Sequence, residues 1–405
     1  MNILFDMTIT QPTADTKFIG SGEYAIRIFT RLLNMLKKDD AVTVLYRKGF
    51  KRCEAVDSIC EDNQINILFY STPVQLSAFI RQYQIDTVFF PLQYPEYEKL
   101  TVSDDVRIIS VLHDLAWIDE IEMKSHYGME LGFTHWLYSE MKMRFVEGRE
   151  QIDQFIRMFQ KSLAINKNQT VITVSDYTKS KMCGYIGIKP EKIRVLYSPP
   201  KVADKIDDEA YENEVLRQYG CEKDKYILLI SASRWRKNVL RALEALNLFF
   251  AIEAVSGRKC GYKVVVLGAD EEHRQYFNKI VHPKDRFVIC DYVKKEELEA
   301  LYKNAGLFMY PSLLEGFGYP PLEAMKYGTA CICSNSMSIP EVCGDAAVYF
   351  NGFKRLSMVK ALFTALIPAN REILKKRAAR RYNEIQRKQA KDLDTILDII
   401  VGRAE

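Results

Sequence analysis

The chain of 405 residues is long enough for two or three domains of ordinary size, and its 48% apolar residues and mixed charge are those of a soluble globular protein. A net charge of +4, from 57 basic and 53 acidic residues, gives no ground for nucleic acid as the main partner. Nine cysteines with no C-x-x-C pair and no zinc spacing to the five histidines read as thiols of a reducing compartment, most simply the cytoplasm. The opening MNILFDMTIT reads as a strand and not as a secretory leader, and no window of eighteen apolar residues offers a membrane span.

In chain order, Asn2–Asp6 is the first predicted strand. It leads into a loop holding Gly20-Ser21-Gly22-Glu23-Tyr24, before an amphipathic helix over 24–38. Bare glycine amides at a helix start suit a phosphate or a sugar hydroxyl. Short strands follow at 42–46, 86–90, 106–112, 170–174 and 192–196. The third of these ends at His113-Asp114, where His113 can donate to a sugar hydroxyl and Asp114 orient the ring through its other nitrogen. Residues 117–167 hold no strand candidate and are rich in Met, aromatic and basic residues. They predict one or two helices, either a hairpin packed on the first half or an acceptor- or membrane-surface element. Ser175, in Val174-Ser175-Asp176-Tyr177-Thr178, is a good helix N-cap.

Tyr197-Ser198-Pro199-Pro200 breaks regular structure and marks the domain boundary. A second strand series begins at 226–231 and continues at 263–267, 286–290, Leu307–Tyr310, 329–334 and 348–350, with helices at 238–254 and Lys295–Asn304. Such alternation predicts parallel α/β sheets, and two doubly wound halves would face a cleft. Arg234, Arg236 and Lys237 lie within four positions before a helix and form a site for a pyrophosphate. After the strand Leu307–Tyr310, Pro311 to Gly318 makes a turn, and Pro320-Pro321 opens a short helix. Its first-turn amides and dipole favour a phosphate, with Glu315 in the loop and Glu323 in the first turn beside it. As a loop carboxylate, Glu315 is expected to be replaceable without harm to the fold. Asp392-Leu393-Asp394 reads as a solvated helix face, as does the basic run 371–391, which could also meet an anionic leaflet.

The run E-G-F-G-x-P-x-L-E-A-M-x-x-G from Glu315, followed by P-E-V-x-G-D-A-A from Pro340, resembles the donor-site signature of retaining glycosyltransferases of family 4, which have the GT-B fold. The G-x-G-x-Y of Gly20 to Tyr24, the H-D-L at His113 and the R-K-N at Arg236 match further family elements, although Glu23 stands where the family has arginine and Asp291 where it has glycine. The resemblance covers nearly the whole chain. It implies two tandem Rossmann-like domains: an acceptor-side domain over 1–200, a nucleotide-sugar donor domain over 201–384, and a C-terminal helix over 385–405 crossing back to the first.

By resemblance, the chain transfers a hexose from a UDP- or GDP-sugar to a hydroxyl of a glycan or lipid-linked acceptor in bacterial surface polysaccharide synthesis. Catalytic roles fall to Glu315 and His113. The donor diphosphate and sugar fall to Gly20, Gly22, Arg236, Lys237 and the amides around Phe317, Gly318 and Leu322. The ribose falls to Glu323, and the base to Tyr292, Val293 and Tyr310. The family logic needs neither a cofactor nor an obligatory metal, since cations and a helix terminus stabilise the leaving diphosphate. It implies a cytoplasmic protein, with contact at the inner membrane face as one option. The rival readings are a nucleotide-sugar epimerase or hydrolase of the same fold, and a non-catalytic sugar-nucleotide-binding subunit.

Overall fold

The computed structural model describes residues 1–12, 20–115, 147–201, 208–257 and 261–404. They form two compact units, Met1–Lys201 with Lys388–Glu405, and Val202–Arg387.

In the first unit, β1 (Asn2–Asp6), β2 (Ala41–Arg47), β3 (Asn66–Tyr70), β4 (Thr87–Phe90), β5 (Arg107–Leu112), β6 (Gln169–Thr173) and β7 (Ile193–Val195) form one sheet. All pairings are parallel and the order is β3-β2-β1-β4-β5-β6-β7. Central strands read as continuous apolar runs because helices cover both faces, and all four residues of β4 are buried. β3, absent from the sequence reading, is an edge strand that buries only Tyr70 fully. The first helix is Gly20–Leu33, one turn earlier than expected at each end. Residues 117–146 of the segment 117–167 lie outside the described residues. The remainder contains the helix Glu147–Ser162, whose Phe155 and Phe159 pack with Leu112, Val171 and Met182.

The second unit holds β8 (Tyr226–Leu229), β9 (Lys263–Val266), β10 (Phe287–Ile289), β11 (Leu307–Tyr310), β12 (Cys331–Ser334) and β13 (Ala347–Phe350). They are again all parallel, in the order β10-β9-β8-β11-β12-β13. Helix Val239–Ser256 seals one face with Ala242, Leu246, Phe249 and Phe250. Cys331 and Cys333 are fully buried on β12, where desolvation pushes both thiols well above their ordinary value.

Each sheet has one place where chain order reverses: between β1 and β4, and between β8 and β11. Loops leaving the carboxyl ends of two such strands diverge to opposite faces and open a crevice, the usual ligand site of a doubly wound sheet.

Helix Pro368–Ile400 gives its residues up to Arg387 to the second unit and those from Lys388 to the first. Its basic side chains are not simply a hydrated face. Lys375 pairs with Asp224 at 2.6 Å, Arg380 with Asp345 at 2.7 Å, and Arg381 donates to the carbonyls of Glu341 and Val342. Asp392 departs further from expectation. It is 6% exposed and accepts from the Tyr197 amide at 2.8 Å and from Lys388 at 2.9 Å, while Gln389 donates to the Ser198 carbonyl at 2.7 Å. The prolines at 199 and 200 cannot continue a ladder, so the helix supplies the segment's hydrogen bonds. Asp392→Ala should therefore destabilise the first unit by about 1–3 kcal/mol, the penalty of an orphaned buried amide. Urea unfolding would check this, and a change within error would remove Asp392 from the support of that segment.

Candidate active site

β8 runs into Ser231, held at φ 59°, and then into a 3-10 turn, Trp235–Lys237. Asn238, at φ 58°, stops that turn before the helix begins, and its side-chain Nδ2 donates to the carbonyls of Pro311 (3.2 Å) and Gly352 (2.8 Å). Asparagine tolerates the left-handed region better than most residues. The Leu313 amide donates to the Arg236 carbonyl at 2.8 Å, which stitches the loop after β8 to the loop after β11 across the reversal point.

Lys237 and Glu315 meet there as an ion pair with side chains only 12% and 13% exposed. The Lys237 ammonium also donates to the Tyr310 hydroxyl at 2.8 Å, and Tyr310 and Ser312 donate to the same carboxylate oxygen, Oε1, that the lysine holds. Burial alone would raise the Glu315 carboxyl. The Lys237 charge and the hydrogen bonds from Lys237, Ser312 and Tyr310 outweigh it and hold the group below its ordinary value, so it is an anion at neutral pH. Burial, with the Glu315 charge beside it, pushes the Tyr310 phenol well above its ordinary value.

The turn after β12 grips the same loop from the other side. The Ser338 hydroxyl lies 2.9 Å from the Glu315 carbonyl and 3.0 Å from that of Phe317, and the Glu315 amide points at the Met337 sulfur at 3.3 Å. Sequence reading missed both residues. They fall between the two quoted motifs, and Met337 sits at φ 52°, which no local signal announces.

Gly318, at φ 103°, is the N-cap of the helix Tyr319–Lys326. That conformation explains the glycine. The helix starts one residue before Pro320, so prolines, which carry no N–H, occupy its second and third positions and not the first as expected. Leu322, at the fourth position, has its amide in the helix's own ladder by the same geometry. Phe317 is buried, its ring edge-on to Tyr319 at 5.3 Å. Glu323 lies beyond the first turn and accepts from the Tyr302 hydroxyl at 3.0 Å. Tyr302, also missed by the sequence reading, comes from the neighbouring helix Lys295–Asn304. With Lys237 matched by Glu315, Arg234 and Arg236 remain as cations without an acidic partner among the described residues.

The expected base pocket divides. Tyr292 is 66% exposed after β10, and a Cβ placed on Gly268 would meet the Tyr292 ring and the Ser231 backbone at 3.2–3.4 Å. The Gly268 amide donates to the Asp291 carbonyl at 3.2 Å, and the Ser233 amide to the Gly268 carbonyl at 2.9 Å. Val293, next in chain, is half-buried. Tyr310 does not belong with them. β9 and β8 separate β10 from β11, and its hydroxyl is engaged by Lys237 and Glu315.

In the first unit, Gly20 and Gly22 lie inside the first turn of helix Gly20–Leu33 and not in a loop before it. A Cβ at Gly22 would stand 3.4 Å from the Ile9 carbonyl oxygen. Glu23, in the family's arginine position, pairs with Lys201 at 3.3 Å. The His113 ring is oriented by the Pro91 carbonyl, 2.8 Å from Nε2, and stands edge-on to Tyr24 at 4.7 Å. Burial depresses its proton affinity against the opposing influence of Pro91 and Asp114. A neutral ring with Nε2–H donating to Pro91 leaves Nδ1 as an acceptor. Ser175 caps the helix Asp176–Lys181 through the Thr178 amide at 3.2 Å, and the Thr178 hydroxyl donates to the His113 carbonyl at 3.2 Å.

Residues 213–366 match the family model described as glycosyl transferases group 1. Over 205 residues the chain is 30% identical to O-antigen chain mannosyltransferase B of Escherichia coli, covering 48% of this chain and 51% of that protein. The chain thus spans about half the length of the first curated relatives it matches. Among solved structures it resembles WaaG, a glycosyltransferase involved in lipopolysaccharide biosynthesis, at 15% identity and TM-score 0.66, over 99% of this chain and 100% of that one. It also resembles HepE of Anabaena in complex with UDP-glucose, at 13% identity and TM-score 0.63, over 98% and 100%. Identities this low speak to the fold alone, and the fold is GT-B. The match to the group 1 model lies within the second unit, Val202–Arg387.

Proposed function

We propose that the chain transfers a hexose from a nucleoside diphosphate sugar to a hydroxyl of a glycan or lipid-linked acceptor, with retention at the anomeric carbon, in bacterial surface polysaccharide synthesis. The observation that carries this is the Lys237–Glu315 pair at the β8/β11 reversal, beside the Gly318 turn and its helix. A lysine ammonium has three N–H donors. Two serve Glu315 and Tyr310, and the third is available to a diphosphate without breaking the pair. Arg236 and the 316–319 amides would share the charge of the leaving group. Glu323, held by Tyr302, would accept from the ribose hydroxyls. His113, through Nδ1, would accept from a hydroxyl of the sugar. No obligatory metal enters this scheme, because cations and backbone dipoles do the neutralising.

A carboxylate that accepts three hydrogen bonds on one oxygen, one of them from an ammonium, is a poor nucleophile. That favours a front-face route, in which the leaving phosphate takes the acceptor proton, over double displacement through Glu315. The names of the relatives make mannose the first sugar to test. Action at the cytoplasmic face of a membrane belongs to the same proposal. Among the described residues no helix is long and apolar enough to cross one.

The test is a thermal-shift screen against UDP, GDP, dTDP, ADP and CDP and their common sugars, with Lys237→Ala alongside. Stabilisation by one nucleotide, lost in the variant, is the expected outcome and fixes the base. No shift with any of them would remove the donor-site reading. Release of free sugar from the donor with acceptor present would point instead to a hydrolase.

A further inference from the structure

The structure gives Tyr310 a task outside the base pocket. Three donors converge on Glu315 Oε1: the Lys237 ammonium, the Tyr310 hydroxyl and the Ser312 hydroxyl at 2.6 Å. Among the described residues none meets Oε2. The phenol also accepts from Lys237, so it bridges the two charges and fixes both ends of the pair. Its ring is 1% exposed and stacked on Phe308 with centroids 5.8 Å apart, so the hydroxyl cannot swing away. We infer that Tyr310 is a positioning residue: with Ser312 it pins Oε1 and turns Oε2 alone toward the reacting sugar.

The titratable groups facing the Glu315 carboxylate are Lys237, from the loop after β8, and Tyr310, at the end of β11. The turn after β12 adds only Met337 and Ser338, which do not titrate here. Tyr310 is one of the donors that hold the carboxyl below its ordinary value, so its loss must move the Glu315 titration to higher pH. A merely structural role for the ring would leave that titration in place.

This inference rests on the transferase reading, and the experiment separates the two. Tyr310→Phe keeps the ring and removes only the hydroxyl. Ser312→Ala removes the second neutral donor and serves if the phenylalanine variant folds poorly. The Glu315 carboxyl is followed by NMR in donor-free, glutamate-labelled protein, with its signal assigned by its absence in Glu315→Gln. In parallel, kcat and donor KM are measured across pH. The expected result is a carboxyl titration displaced upward, kcat lowered about tenfold, donor KM within about twofold, and the acid limb of kcat moved the same way. An unmoved titration with kcat within twofold of the parent would overturn the inference. A displaced titration in a protein whose parent transfers no sugar would support the positioning geometry and sink the transferase reading.

Discussion

Glu315→Ala should lower sugar transfer by about 10²- to 10³-fold, the usual effect of deleting one preorganised electrostatic group from a reaction centre. It should also weaken the fold, contrary to the expectation that a loop carboxylate can be removed without harm. The structure buries this carboxylate against Lys237, and deleting one member leaves the other as an unmatched charge, at about 3–5 kcal/mol. Glu315→Gln separates the two effects, because an amide oxygen still accepts from Tyr310 and Ser312 while the negative charge is gone. Initial-rate transfer and urea unfolding, measured on both variants, give the comparison. Undiminished transfer in the alanine variant would remove Glu315 from the chemistry altogether.

Lys237→Ala should weaken donor binding by about 1.5–3 kcal/mol, the worth of a charged hydrogen bond to phosphate. The structure adds a second consequence. Without the ammonium, its charge and hydrogen bond no longer oppose burial, so the Glu315 carboxyl rises from its lowered value. In the parent the folded-state value lies below 4.5, so the pair's stabilisation is fully present above the unfolded-state value and is lost as pH falls through the folded one. The stability gap between parent and variant should therefore be wide at pH 7 and narrow as pH falls below 4.5 through the parent's folded-state value. Calorimetric donor titration and unfolding across pH would measure both parts. A gap that stays constant across that window would show that Lys237 acts on the fold through packing alone.

Much of this was legible in the chain. The alternation of short apolar strands with amphipathic helices fixed the fold class, because both sheets are parallel and covered on two faces, which leaves nearly unbroken hydrophobic runs such as Tyr226–Leu229. β1, β11 and the helix Lys295–Asn304 fall where periodicity put them, since each is bounded by local signals. The group 1 match over 213–366 spans the charged turn at Arg236 and the Glu315–Gly318 loop, the segment whose motif is longest and most mixed in residue type. Local signals failed where the cause was not local. β3 is an edge strand, and Asp392 is buried because the Tyr197 amide needs an acceptor.

The sequence by itself thus determined which residue types stand at the ends of which strands: three cations after β8, a tyrosine at the end of β11 with a carboxylate after it, a tyrosine after β10. The tertiary structure alone decided which of them meet. Strand order is set by how helices pack across a twisted sheet, and no local pattern encodes it. By placing β11 beside β8 and two strands from β10, it gave Tyr310 to Lys237 and Glu315, left Tyr292 at Gly268, and turned a loop carboxylate into half of a buried ion pair.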